Sequence, residues 1–249
     1  MNGSVCIGLN CSSTDLIDAH IIPRGFARLI RGPGPNMTIS IQQAREAKPQ
    51  LGEFDPDILC AACDHKLGYF DDYAIDVCKQ FDRKHNRLPN DMFEFDNFDG
   101  DRFTKFILAV LWRASISKRS TFNEVSLGPY ENKARDVLFG TKPLQNLKSF
   151  EVLVQRYTSV HLDMQGIYSI PTRAPFMNLN AYGFMLSGFR ILAKFDRRPL
   201  NVGYVPFITN SALKLRGFFI EFEQTPEFER VKDIAVNHLI KTRGMPFKL

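Results

Sequence analysis

Apolar residues recur every three to four positions over two long stretches of this chain. Within residues 57–86, Leu67, Phe70, Ala74, Val77, Cys78 and Phe81 fall on one helical face, so this stretch is predicted to be mainly one helix. Asp57 and Asp64 lie near its start, where they suit the positive end of the helix dipole. In residues 103–118 the stripe is Phe103, Phe106, Ile107, Val110, Leu111 and Ala114, flanked by Trp112 and Arg113. A short helix is predicted over Asn132–Phe139, ended by Gly140, and a last one over Pro226–Leu239, with proline in its first turn. From residue 150 the period shifts towards two. Phe150–Tyr157, Tyr182–Phe195 and Phe218–Phe222, rich in Phe, Val, Ile and Tyr, read as strands.

The N-terminal part is less regular. Leu16–Ile22 is apolar and β-branched enough for a short strand, which Pro23 stops because it cannot donate to a ladder. Thr38–Gln42 alternates and reads as a second strand, while Gly32-Pro33-Gly34-Pro35 continues neither helix nor strand. Residues 82–102 are polar and turn-rich. The expected organisation is therefore α+β: an N-terminal module over 1–86, a linking segment over 87–102, and an α+β region over 103–249 with helices against an antiparallel sheet.

Bulk composition narrows the class without naming a function. The 249 residues are 44% hydrophobic and 24% charged, enough for a sizeable core. No apolar run reaches the roughly eighteen residues of a membrane span. Met1–Cys6 lacks the basic and apolar stretches of a signal peptide, so a cytoplasmic location with reduced thiols is expected and no membrane partner. A net charge of +5 permits a polyanionic partner without demanding one. The odd count of five cysteines argues against a disulfide framework. Cys78 reads as a small buried apolar residue.

The other four cysteines carry the chemistry. Cys6 and Cys11 form C-x4-C, and Cys60 and Cys63 form C-x2-C. Short spacing within each pair lets one turn deliver two thiolates, and zinc accepts four such ligands in a tetrahedron. A structural Zn2+ on Cys6, Cys11, Cys60 and Cys63 is therefore expected, with binding coupled to folding. Between the pairs lies Ala19-His20-Ile21-Ile22-Pro23, followed by the basic residues Arg24, Arg28 and Arg31, which are candidate phosphate contacts.

A histidine strand between two thiol pairs resembles the HNH endonucleases of the ββα-metal (His-Me finger) superfamily, in their four-cysteine zinc-supported form. The likeness covers about residues 1–80: Cys6 and Cys11 match the first pair, His20-Ile21-Ile22-Pro23 the strand, and Leu59-Cys60-Ala61-Ala62-Cys63 the second pair and helix start. It implies a zinc-supported ββα-metal module and phosphodiester hydrolysis of nucleic acid, DNA ahead of RNA. It further implies His20 as general base and Asp64 as a ligand of a catalytic Mg2+ or Mn2+, with His65 and Asp18 as alternatives. The sequence departs from the family at Ala19, where an acidic ligand is usual. It also lacks a clean match to the middle asparagine; Asp55 and Asp57 lie in that region, and Asn36 in the insertion. The H-I-I-P strand, the C-x-x-C-acid helix start and the L-W-R-A-S run over Leu111–Ser115 resemble a set of bacterial proteins, which implies a host-defence or mobile-element setting. The alternative expectation is a catalytically inactive zinc module that binds nucleic acid or a protein partner. Under either expectation the region 103–249 would supply specificity, a partner surface or self-association.

Overall fold

The computed structural model describes residues 4–26, 53–81, 89–159, 164 and 168–233. The Thr38–Gln42 strand, Arg28, Arg31 and the end of the Pro226–Leu239 helix lie outside the described residues. The architecture is mixed α+β. Strands β1 (Ala19–His20) and β2 (Phe54–Asp55) form a two-stranded antiparallel ladder, with Ala19 opposite Asp55 and His20 opposite Phe54. Helix α1 (Ala61–Phe81) follows, then β3 (Met92–Phe95), α2 (Gly100–Ile116) and α3 (Glu131–Leu138). After them come β4 (Phe150–Thr158), β5 (Thr172–Arg173), β6 (Ala181–Leu186), β7 (Phe189–Phe195) and β8 (Leu215–Glu221). A further helix opens at Pro226 and runs to residue 233, the last described.

Strands β3 to β8 make one sheet in the order β3-β8-β4-β7-β6-β5. Every neighbouring pair is antiparallel except β4 with β8, which run parallel. The sheet is thus mostly, not wholly, antiparallel as expected. The expected Tyr182–Phe195 strand is a hairpin. Ser187 and Gly188 both have positive φ, 48° and 78°, the geometry of a two-residue turn whose twist matches the flanking strands. Residues 87–102, expected as a link, contribute the edge strand β3: Phe93 and Phe95 face the core while Met92 and Glu94 face solvent. Helix α1 begins at Ala61, not 57, because Asp55 accepts the Asp57 N–H at 2.9 Å and holds a turn there.

Helix α2 is buried almost all round, with Phe106, Leu108, Ala109, Val110, Leu111 and Trp112 at 0–1% exposure. A helix apolar on every face belongs inside a protein. Arg113 is buried with it and donates two hydrogen bonds to the Asp71 carboxylate of α1, at 2.9 and 3.0 Å. On α1 the expected face, Leu67, Phe70, Ala74, Val77, Cys78 and Phe81, is buried. The Phe81 ring sits 4.9 Å from both Phe93 and Phe189, tying the end of α1 to the sheet. Phe26 stacks on Phe106 at 5.4 Å. One apolar cluster therefore runs from Cys6 through α1 and α2 to Phe219. Among the described residues no helix is long and apolar enough to cross a membrane.

Candidate metal centre

Local backbone geometry brings the two thiol pairs together. Asn10 takes a positive φ of 55°, and Cys11 N–H donates to Gly8 O at 3.2 Å, closing a tight turn between Cys6 and Cys11. That turn is pinned to the second pair: Ile7 N–H donates to Ile58 O at 2.9 Å, Ile17 N–H to Leu59 O at 3.0 Å, and Leu16 bridges Cys60. The second pair occupies the start of α1, where the N–H groups of Cys63 and Asp64 donate to Cys60 O at 3.1 and 3.0 Å.

The four Sγ atoms lie within 4.8 Å of one another. Cys11 and Cys60 are 3.7 Å apart. Sulfurs at the corners of a tetrahedron with Zn–S bonds near 2.3 Å stand about 3.8 Å apart, so the spacing suits that ion. The Cys60 N–H points at Cys6 Sγ over 3.3 Å, a donor that favours a thiolate there. Gly8 closes the cradle: a methyl at its Cα would fall well under 3.0 Å from Cys63 Sγ and at 3.4 Å from Cys6 Sγ. Burial pushes the Cys6 and Cys63 thiols up, and in Cys63 the neighbouring thiols add to this. Cys60 moves the other way, to about 7, chiefly through the Cys63 backbone N–H. Thiols must lose their protons to ligate a metal, and a cation among four such close sulfurs would share the resulting charge. The residues fit a structural metal ion such as zinc, which would cross-link the N-terminal turn to the start of α1.

The other expected site residues are more dispersed. His20 is half-buried on β1, its ring 6.1 Å from that of Phe54. Asp18 and Arg24 are exposed on either side of β1. Asp64 is half-buried and His65 exposed in the first turn of α1. Among the described residues only the four cysteines form a group of three or more side chains able to hold a metal. Asp18, Asp64, His65 and His20 therefore do not assemble into a second such group.

Residues far along the chain also reach this region. Asp55, fully buried on β2, accepts from Ser117 Oγ at 2.6 Å. Arg119 donates from Nη1 to Phe54 O at 2.6 Å, and its guanidinium carbon is 5.4 Å from the Phe54 ring centre. No spacing in the sequence signals these contacts, which span more than sixty residues. No family model, curated protein or solved structure matches the chain.

Proposed function

We propose that this chain is a metal-dependent nuclease of the HNH type, with His20 as general base and the four-thiol centre as structural zinc support. The observation that carries the reading is the chain order: a histidine strand, a partner strand leading into Cys60, and a helix that starts on the second thiol pair. A neutral imidazole can accept a proton from water near pH 7, and the half-buried ring of His20 on β1 supports the reading of it as that base. A divalent ion, Mg2+ or Mn2+, would offset charge on the phosphate and the leaving oxygen. The described residues gather no second ligand group, so Asp64, His65 and Asp18 receive no fixed part in holding it. DNA is the first substrate to test and RNA the second, with a bacterial defence or mobile-element setting as the context.

A second reading is a zinc module that binds nucleic acid or a protein partner without cutting. It is favoured by Ala19, which is fully buried opposite Asp55 at the position where an acidic ligand is usual. The experiment is cleavage of DNA and RNA by zinc-loaded protein with Mg2+ or Mn2+. His20→Ala should abolish cutting while zinc content and melting temperature stay unchanged. If zinc-loaded protein cuts no substrate with either ion, the catalytic reading fails. Salt-sensitive binding indifferent to His20→Ala would then favour the second.

A further inference from the structure

The turn after α2 places a cation next to the β1–β2 ladder. Arg119 is exposed, and no carboxylate among the described residues pairs with it. It is nevertheless held. Its own N–H reaches Ser117 Oγ at 3.2 Å, and Ser117 donates to buried Asp55. Its guanidinium is fixed by Phe54 O and covered on one side by the Phe54 ring. Phe54 stands directly opposite His20 in the ladder.

An exposed arginine with no carboxylate partner among the described residues, braced by a backbone carbonyl and an aromatic ring, presents guanidinium N–H donors in a fixed orientation. Planar, pre-oriented donors of this kind suit phosphate oxygens. We propose that Arg119 is a phosphate-contacting residue of the His20 site, supplied by the turn after α2 to a nucleic acid lying along β1–β2. This rests on the reading of that ladder as the nucleic-acid-facing surface. The contact would position the polymer, not read its sequence. It would also give the α2 turn a direct part in the site, coupled to β2 through Ser117 and Asp55.

The test measures binding apart from cutting. Zinc-loaded wild type, Arg119→Ala and Arg119→Lys are titrated, with no Mg2+ or Mn2+ added, against fluorescein-labelled duplex DNA and single-stranded RNA over a salt series. Arg119→Ala should weaken binding about tenfold on whichever polymer binds and reduce the slope of log K against log salt by about one. Arg119→Lys, which keeps the charge, should restore most of the slope. A lower melting temperature with an unchanged slope would make Arg119 only a brace for Phe54 and overturn the proposal. Wild-type affinity and slope in Arg119→Ala, with His20-dependent cutting intact, would overturn it and leave the nuclease reading standing. If wild type neither binds nor cuts either polymer, both fall.

Discussion

Gly8→Ala separates the metal centre from everything else that glycine could do. The Gly8 backbone is not left-handed, so alanine meets no strain in the chain itself. Its methyl would overlap Cys63 Sγ, and Cys63 Cβ would stand at 3.0 Å. The sulfur must retreat by roughly 1 Å to regain ordinary van der Waals contact. Zinc–ligand distances tolerate only about 0.2 Å, so the Cys63 bond is lost or badly stretched. Structural zinc binding by peptides is worth about 10–16 kcal/mol over four ligands; weakening one by a quarter of that total costs about 3 kcal/mol, or two decades in Kd. A chelator-competition titration reads this directly, and Co2+ in place of Zn2+ reports the tetrahedral thiolate set through its visible bands. If the thiols hold no metal, the substitution leaves metal content untouched. Gly8→Ala protein with stoichiometric zinc and wild-type resistance to the chelator would refute the four-thiol assignment.

Three further outcomes are expected. Asp71→Ala should lower stability by about 3–5 kcal/mol in urea melts, because it leaves the buried Arg113 charge without its carboxylate; combining Asp71→Leu with Arg113→Met, which removes both charges, should recover most of that loss. Asp196 accepts from the Arg198 guanidinium and from backbone N–H groups of Asn180 and Arg198, and the Arg198 hydrogen bonds first among these hold its carboxyl below the usual range. Its folded pKa is depressed, so its stabilisation is complete above the unfolded value of about 3.9 and is lost as pH falls further. The stability gap between wild type and Asp196→Asn should accordingly be constant from about pH 7 to 5 and close below about pH 4. Gly68→Ala, in the middle of α1 with open space at the added methyl, should stabilise the protein by about 0.5–1 kcal/mol in thermal melts.

Local pattern carries much of this fold, and non-local pairing carries the rest. The buried face of α1 and the spans of α2, α3 and β4 follow from apolar spacing, and the thiol pairs from cysteine spacing alone. Strand β3 is hidden in the sequence because four residues, Met92–Phe95, alternate inside a run of Asp and Asn. The β6–β7 hairpin reads as one strand because Ser-Gly is a weaker turn signal than Asn-Gly and both flanks are apolar. The parallel β4–β8 pair joins segments about sixty residues apart, which no periodicity reports. Arg113 reads as a helix-flanking charge until Asp71, forty-two residues earlier, is seen to neutralise it. The same limit applies to the candidate site: the thiols announce themselves in pairs, whereas Ser117 and Arg119 acquire meaning only when α2 ends beside β2.

The Arg113–Asp71 pair bears on how this protein can be handled. It fastens the helix that carries Cys63 and follows directly on Cys60 to a helix sunk in the centre of the molecule. A finger excised at residue 86 would therefore carry an orphaned carboxylate and an oily flank of Leu67, Phe70 and Phe81 into water. Grafting the thiol cradle onto another scaffold would need a surrogate for α2, not merely the cysteines.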